Sequence, residues 1–314
     1  MGKERAMCVI GGANIDICGR GVEALKQHDS NPGHISVSLG GVGRNIAEAI
    51  ALLGAPVEFV TCFSLDSFGK MLRDDCIAMG MDVSHCRMSY DLPTSMYLAL
   101  LDKDGDMNIA MSDMRLLEGL DESIFSQVCH KYGNDDIIIV DANLREKDIH
   151  YVASHATSVI ACDPVSIAKC GKLQGVLGRL GMFKPNRVEA MAMSGIEIID
   201  EKSACECIEW FVSRGVGEIV ISLSGDGALL GAQGKKYWLR HRKVDLLNAT
   251  GGGDALLGVY AYMRMRECSP LESVETGMTA AVMAIEKDSL RSRTLTMEGL
   301  NAYRETMKIE VMEI

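Results

Sequence analysis

The sequence predicts an α/β fold, a doubly wound and mostly parallel sheet flanked by helices, with a small antiparallel β lid. Short apolar runs alternate with amphipathic helical stretches along the 314 residues, which is typical of parallel βαβ units. Two segments interrupt that alternation. Since no linker, repeat or low-complexity stretch divides the chain, we expect a single domain over residues 1–314.

Six near-continuous apolar runs predict the strands of the parallel sheet, because strands buried on both faces carry few polar residues. They are AMCVIGG, VEFVTCF, DIIIVDA, SVIACD, GMFKP and EIVISLS. Apolar side chains recur at helical spacing in residues 46–53, 68–79, 204–212 and 271–285, which predicts helices there. In such a sheet, ligands bind beyond the carboxyl ends of the strands.

The two interrupting segments predict the lid, contributed by about residues 17–39 and 93–112. HISVSLGG alternates polar and apolar residues, as an antiparallel strand with one solvated face does. TSMYLALLDKDGDMNIAMSDM predicts a hairpin that turns near Asp104 and Gly105. Ordinary hairpins at the edge of the main sheet would explain the same pattern.

The composition argues against several classes of function. A formal net charge of −11 disfavours a general affinity for nucleic acid or anionic membrane. No apolar run reaches the length of about 18 residues that a membrane span needs, and the opening MGKERAMCVI lacks the apolar core of a signal peptide. The scattered cysteines fit reduced thiols. We therefore expect a cytoplasmic protein that binds neither nucleic acid nor membrane.

The stretch NATGGGDALLG predicts an anion site with a carboxylate beside it. Its glycines, Gly251 to Gly253, lead into a helix, and free N–H groups at a bare helix start bind phosphate. Asp254 would then lie next to a transferring phosphoryl group, where a carboxylate can accept the proton of the attacking hydroxyl. A glycine-rich turn that Asp254 merely caps explains the stretch equally well.

Two early motifs supply polar side chains for a hydroxyl-bearing substrate. GGVGRNIAEAIALLGA is a second glycine turn that opens a helix, with Asn45 in its first turn and Arg44 either serving a phosphate or staying solvated. GGANIDI lacks the G-x-G-x-x-G spacing of a dinucleotide-binding dehydrogenase. Asn14 and Asp16 would point the same way on a strand and could hold a ribose diol, although an Asx turn is the default explanation.

Two later motifs follow predicted strands. In KPNRVEAM, Asn186 and Glu189 either lie near a triphosphate, with Glu189 holding Mg²⁺ through water, or form a capping box. SLSGDGALL either cradles nucleotide phosphates or joins a strand to a hairpin. The stretch GMTAAVMAI offers an apolar wall for a nucleotide base.

The order of these motifs along essentially the whole chain resembles the ribokinase-like (PfkB) family of carbohydrate and nucleoside kinases. The resemblance implies ATP as co-substrate with Mg²⁺, leaves activation by a monovalent cation open, and admits a homodimer formed through the lid. It implies that Asp254 is the catalytic base and that the amides of Gly251, Gly252 and Gly253 form the anion hole. Its sugar contacts fall on Asn14, Asp16, Gly41, Asn45 and near Asn143, and its nucleotide contacts fall on Asn186, Glu189, Ser222, Ser224, Gly225 and Gly227.

Departures from the family pattern bear on the substrate. Gly252 replaces the usual alanine, and Val42 and Asn143 stand where ribokinase has lysine and glutamate, which counts against ribose. Stretches including ANIDI and DPVSIAKC resemble a member that phosphorylates the 5′-hydroxyl of a C-glycosidic nucleoside. Thr94, Ser95 and Lys169 are then candidates to contact the base, although Lys169 is equally an ordinary exposed lysine. The alternatives are another sugar or purine nucleoside kinase and a non-catalytic regulator on the same fold.

Overall fold

The computed structural model describes residues 5–243, 251–286 and 295–314. Its strands are β1 Met7–Ile10, β2 Asn14–Gly21, β3 Gly33–Gly40, β4 Val57–Val60, β5 Cys62–Ser64, β6 Arg87–Ser89, β7 Met96–Leu101, β8 Met107–Asp113, β9 Ile137–Asp141, β10 Val159–Asp163, β11 Met182–Phe183, β12 Glu218–Ser222, β13 Ala228–Ala232, β14 Lys235–Arg240 and β15 Glu310–Glu313. Its α-helices are α1 Val42–Leu52, α2 Ser67–Ala78, α3 Glu122–Lys131, α4 Glu146–His155, α5 Ile167–Cys170, α6 Arg187–Ser194, α7 Glu201–Val212, α8 Gly252–Met265, α9 Pro270–Glu286 and α10 Met297–Met307. Across these ranges, no helix is both long and apolar enough to cross a membrane.

The main sheet has nine strands in the order β15-β14-β13-β12-β11-β10-β9-β1-β4. Every pairing from β4 to β12 is parallel, and the three pairings from β12 to β15 are antiparallel. The six strands predicted from apolar runs are β1, β4 and β9 to β12, so the prediction of a mostly parallel sheet is confirmed. All of their carboxyl ends therefore lie at one edge of the sheet.

Helices cover both faces of this sheet. Alternate residues of β1 belong to different apolar clusters, Cys8 and Ile10 on one face and Met7 and Val9 on the other, and all four are fully buried. A strand buried on both faces has no polar side to alternate with, which explains its continuous apolar run. The helices predicted at residues 46–53, 68–79, 204–212 and 271–285 are α1, α2, α7 and α9.

A second sheet, the lid, has four strands in the order β3-β2-β7-β8. Its two outer pairings are antiparallel as predicted, and the hairpin of β7 and β8 turns at the expected Gly105. The central pairing of β2 with β7 is parallel, since the two strands begin side by side at Ile15 and Met96. The lid is thus a separate sheet and not an edge hairpin of the main one.

Candidate active site

The carboxyl ends of the parallel strands carry a group of polar side chains. Asp141 ends β9, Asp163 ends β10, and Lys184 follows β11. Asn14 begins β2 a few residues after the end of β1. Because neighbouring parallel strands end together, these side chains from distant parts of the chain share one edge of the sheet.

The glycine stretch opens helix α8 as the sequence predicts. Gly251 precedes the helix with φ of 89°, a backbone conformation that favours glycine. Gly252 and Gly253 form the first turn together with Asp254. The earlier part of the motif, residues 248–250, lies outside the described residues.

Asp254 contacts the other glycine turn. Its Oδ2 accepts a hydrogen bond of 2.8 Å from Nδ2 of Asn45, which lies in the first turn of α1. The two glycine-rich motifs of the sequence, 209 residues apart at these positions, therefore meet through their side chains. Asn45 gives the Asp254 carboxylate a partner outside its own helix. A carboxylate that merely caps a glycine-rich turn would not explain this contact.

The surroundings of Asp254 raise its pKa from 3.8 to about 7. Burial is the largest cause, because a carboxylate loses hydration when it leaves water, and repulsion from Asp163 is the second. Lys184 and the hydrogen bond from Asn45 act in the opposite direction. A general base works best when its pKa lies near the working pH, and Asp254 meets that condition.

This pKa predicts a pH dependence. Asp254 can accept a proton only when it is ionised, so kcat/KM is expected to fall as pH drops through about 7. Below that value, kcat/KM should lose about tenfold per pH unit as the protonated form takes over. Steady-state rates from about pH 5 to 9 measure this limb, with thermal melts at each pH as the control for folding. A rate independent of pH down to about 5 would contradict the assignment.

Lys184 and Asp163 form a buried ion pair beside Asp254, and sequence reasoning did not single out either residue. Nζ of Lys184 lies 2.7 Å from Oδ2 of Asp163, with both side chains at most 6% exposed. Burial alone would lower the pKa of Lys184, but Asp163 and then Asp254 outweigh it and raise that pKa. A charged residue at the carboxyl end of a buried parallel strand, or directly after it, was the available signal, because those positions face the ligand edge.

A cavity of about 380 Å³ extends from Asp254 along the first turn of α8. One wall is apolar and comes from α9, within the GMTAAVMAI stretch, with Met278, Ala281, Val282 and Ile285. The opposite side is polar. All of the residues predicted to contact nucleotide line this cavity, namely Asn186, Glu189, Ser222, Ser224, Gly225 and Gly227.

Asn186 and Glu189 also form the capping box that was the alternative explanation. Oδ1 of Asn186 accepts from the backbone N–H of Glu189 at 2.9 Å, and Oε2 of Glu189 accepts from that of Asn186 at 2.8 Å. The box holds the Glu189 carboxyl group at the cavity wall, where burial and repulsion from Asp163 raise its pKa. Capping and lining the cavity are therefore compatible.

The described residues fit a magnesium ion that is bound mainly by nucleotide and water. They contain no cluster of three or more acidic, histidine or cysteine side chains that could hold a metal by itself. The cavity is lined by Asp163, Glu189 and Asp254 against a single lysine, an acidic environment that a divalent cation would relieve. Mg²⁺ commonly keeps several waters and takes one or two carboxylates together with substrate phosphates.

Asn14 and Asp16 lie together at the base of the lid. Nδ2 of Asn14 donates to Oδ1 of Asp16 at 2.5 Å, as side chains two apart on a strand can. Asp16 faces the neighbouring strand at Gly40, where an added Cβ would lie 2.0 Å from its Oδ2. Next in the chain, Gly41 has φ of 107° and leaves no room for a side chain against the carbonyl of Gly12.

A buried aspartate joins this region to helix α1. Oδ2 of Asp141 accepts from the backbone N–H groups of Gly12 at 2.7 Å and Gly43 at 2.8 Å. The end of β1 and the start of α1 are thereby held together. That contact fixes Asn14 and Asn45, one on either side, with respect to each other.

Asn143 and Lys169 also meet. Nζ of Lys169 donates to Oδ1 of Asn143 at 2.5 Å, so Lys169 is not an ordinary exposed lysine. The amide group of Asn143 lies against Gly12, since a Cβ there would be 2.8 Å from Nδ2. Burial lowers the pKa of Lys169.

Thr94 and Ser95 lie immediately before β7, next to β2. Oγ1 of Thr94 donates to Asp66 at 2.5 Å, and Asp66 is also the N-cap of α2. The Ser95 carbonyl accepts from Ile15 at 2.9 Å, while its buried Oγ has no hydrogen-bond partner in the described part of the chain. The Thr94 hydroxyl is thus already engaged, whereas that of Ser95 is buried without a partner among the described residues.

Arg44 requires a correction. Sequence reasoning offered a phosphate contact or a solvated side chain, but Arg44 is only 1% exposed and pairs with Glu48 at 3.2 Å and with Asp75. Its side chain points from α1 toward α2 instead of toward the strand ends. The two carboxylates account for its burial, so we no longer assign it to substrate.

Known proteins are similar to this chain over most of its length. The family model of pfkB family carbohydrate kinases matches residues 4–296. Pseudouridine kinase of Escherichia coli (strain K12) is 32% identical over 93% of this chain and 94% of its own length. Ribokinase of Thermotoga maritima superposes with a TM-score of 0.82 at 23% identity, covering 96% of this chain and 99% of its own. Ribokinase of Arabidopsis thaliana, solved with ribose and ATP, gives 0.80 at 18% identity, covering 96% and 99%.

The fold and these similarities identify a ribokinase-like phosphotransferase that acts on a hydroxyl group. The chain belongs to the PfkB family of carbohydrate kinases.

Proposed function

We propose that the protein transfers the γ-phosphoryl group of ATP to the 5′-hydroxyl of a nucleoside, most specifically pseudouridine. The observation that carries this proposal is the placement of Asp254, with its pKa near 7, at a glycine helix start and 2.8 Å from Asn45. The similarity to Escherichia coli pseudouridine kinase supports the choice of acceptor. The Arabidopsis ribokinase complex supports ATP as the donor.

In the proposed reaction, Asn14 and Asp16 hold the ribose diol and orient the 5′-hydroxyl toward Asp254. Asp254 accepts the hydroxyl proton while the oxygen forms its bond to the γ-phosphorus and the bond to the β-phosphate oxygen breaks, leaving ADP with that electron pair. The backbone amides of Gly251 to Gly253 stabilise the charge that develops on the moving group. When bound, Mg²⁺ supplies charge neutralisation at the phosphates, with Glu189 the residue that would hold it through water.

The polar groups around Asn143 support a nucleoside acceptor over a bare sugar. Lys169 donates to Oδ1 of Asn143, whose side chain also hydrogen-bonds to the buried Asp141. Lys169 itself has two further protons. Such donors match the carbonyl oxygens of a uracil ring, with the buried Ser95 hydroxyl as an additional partner. Arg44 has no part in this contact.

Single-substrate kinetics test the proposal. With ATP and Mg²⁺, the protein is assayed on pseudouridine, uridine, inosine, ribose and fructose 6-phosphate, following ADP release. We expect kcat/KM for pseudouridine to exceed that for each other acceptor by about 10²-fold or more, because buried donors left unpaired by the wrong substrate penalise its binding. Preferential turnover of ribose or the hexose phosphate would contradict the nucleoside assignment, and no turnover of any acceptor would favour the regulator.

The outer face of the lid supports a homodimer, which we also propose. Asp16 lies on one face of the lid sheet. On the other face, side chains align across all four strands, because Ile17 pairs with Val37 and Leu98, and Leu98 pairs with Met111. This outer face is apolar and exposed, with Ile35, Val37, Leu98, Leu100, Ile109 and Met111 each at least 39% exposed. An apolar patch of this kind on a soluble protein marks an interaction surface. Its partner is a second copy of the same lid.

Ile109→Glu tests the dimer. Ile109 is 59% exposed in the single chain, and a charge buried at its place in an interface should weaken association by about 10²-fold or more. Light scattering after size-exclusion chromatography measures the mass, and Ser112→Glu on the opposite face of the same strand is the matched control. A monomeric wild type, or an Ile109→Glu variant that dimerises as the control does, would contradict the proposal.

A further inference from the structure

The buried pair of Lys184 and Asp163 stands at the ends of two neighbouring strands. Strands β10 and β11 are parallel, with Cys162 opposite Phe183, so the next residue of each strand lies beside the other. The carboxylate of Asp163 is fixed from its own side by the N–H of Val165, which donates to Oδ1 at 2.7 Å. A buried ion pair is costly to desolvate and is weak evidence for stability, so its presence at a ligand edge calls for another explanation.

The turn after Asp163 is strained. Val165 has φ of 66°, which a β-branched residue rarely adopts, and Ser166 donates to the carbonyl of Pro164 at 2.7 Å across it. Strained residues of this kind persist where the surrounding structure enforces them, and they cluster at active sites. Here the strained turn places the N–H of Val165 on the carboxylate that holds Lys184.

The ammonium group of Lys184 lies at the glycine helix start. A Cβ built on Gly253 would be 2.8 Å from Nζ, so the absence of a side chain at this glycine lets the ammonium group lie against the helix start. Lys184 contacts Asp163 through a single oxygen at 2.7 Å, and an ammonium group carries three protons, so at least two remain for a ligand. Among the described residues that line the cavity, Lys184 is the only lysine or arginine.

We propose that Lys184 binds the transferring phosphoryl group directly and is a catalytic residue, and that Asp163 is the positioning residue that holds its ammonium at Gly253. The inference rests on the proposed function. As the 5′-oxygen forms its bond to phosphorus and the bond to ADP breaks, Lys184 keeps its protons and its charge balances that of the equatorial oxygens. Together with the amides of α8 it completes the anion hole.

The pair also changes the pKa of Asp254. This effect distinguishes a catalytic role of the pair from a merely structural one. The groups that face Asp254 are Asn45 on α1, Asp141 on β9, Asp163 on β10 and Lys184 after β11. Lys184 lowers the pKa of Asp254 and Asp163 raises it. Removing each charge separately should therefore move the acid limb of kcat/KM in opposite directions, which a general loss of packing would not do.

The first experiment uses Lys184→Met, Lys184→Arg and Asp163→Asn in the full chain. We expect Lys184→Met to lower kcat by about 10²–10³-fold, as loss of one preorganised donor does, with the acceptor KM changed by less than about threefold and Lys184→Arg recovering part of the rate. The acid limb should move to higher pH in Lys184→Met and to lower pH in Asp163→Asn. A kcat for Lys184→Met within about threefold of the wild type, or limbs that do not move apart, would overturn the proposal.

The second experiment does not need phosphoryl transfer. Calorimetric titration with ADP and with a non-hydrolysable ATP analogue measures the contribution of the γ-phosphoryl group. Lys184→Met should lower the affinity for the ATP analogue by about tenfold or more and change the affinity for ADP by less than about threefold. The reason is that the charge of Lys184 contacts only the third phosphate. Equal losses for both nucleotides would overturn the inference.

A folding defect and a failure of the proposed function can each be told apart from a failure of the role proposed for Lys184. If Lys184→Met leaves Asp163 unpaired and does not fold, the double variant Lys184→Met with Asp163→Asn replaces the pair by neutral side chains of similar size and takes its place in the kcat comparison and in the nucleotide titration. If the wild type phosphorylates no acceptor, the proposed function fails, and the nucleotide titration still decides the role of Lys184.

Discussion

Asp254→Asn is expected to lower turnover by about two orders of magnitude or more, because a positioned general base contributes roughly 10²–10⁴-fold to such a step. The amide keeps the size of the side chain and can still contact Asn45, but it cannot accept the proton of the attacking hydroxyl. The acid limb of the rate profile near pH 7 should disappear together with the rate, since that limb follows the ionisation of Asp254.

Asp74→Asn is the matched control for this variant. Its carboxylate is 74% exposed on α2, and the same substitution there should leave turnover within about twofold. Nucleotide affinity and melting temperature, measured for both variants, separate loss of the base from loss of the fold. An Asp254→Asn protein that turns over at nearly the wild-type rate would contradict the assignment of the base.

Asp16→Ala is expected to have the second-largest effect. Hydrogen bonds from two substrate hydroxyls to a carboxylate are each worth about 1.5–3 kcal/mol, so their loss should lower kcat/KM for the acceptor by about 10²-fold or more. The affinity for ATP should change little, because Asp16 lies on the lid strand β2 and does not line the nucleotide cavity. Acceptor kinetics at saturating ATP, with nucleotide titration alongside, measure both quantities.

Ser36→Ala is the control for the lid. Ser36 on β3 pairs with Cys18 on β2, and Cys18 is two residues after Asp16. Ser36 therefore lies on the same face of the lid as Asp16, and removing its hydroxyl tests for general damage to the sheet. Only a small change is expected there. A kcat/KM for Asp16→Ala within about threefold of the wild type, or an equal loss of ATP affinity, would show that Asp16 does not hold the diol.

The regular elements could be predicted from the sequence because their signals are local. A strand buried on both faces is apolar throughout, and a helix repeats its apolar residues every third or fourth position. Both kinds of signal were sufficient for the main sheet and its helices. The parallel pairing of β2 with β7 was not predictable in this way, since it depends on where two strands distant in sequence begin.

The candidate site likewise has features that local sequence predicts and contacts that only the fold determines. The glycines, Asp254 and Asn45 were recognisable within their motifs, but their contact at 2.8 Å spans 209 residues and needs the fold. Asp163 and Lys184 each lie at or near the end of a predicted strand, yet their pairing depends on the order of strands in the sheet. Arg44 was misjudged although Glu48 stands four residues after it, the spacing of a helical ion pair, and that signal was available.

The most direct test of the central claim is a competition experiment. Wild-type protein, ATP and Mg²⁺ are incubated with equal concentrations of pseudouridine, uridine and ribose, and the products are identified by phosphorus NMR and mass spectrometry. We expect pseudouridine 5′-phosphate as the main product, formed in equal amount to ADP, and almost none with Asp254→Asn over the same time. Ribose phosphate as the main product, or no phosphorylated product with the wild type, would contradict it.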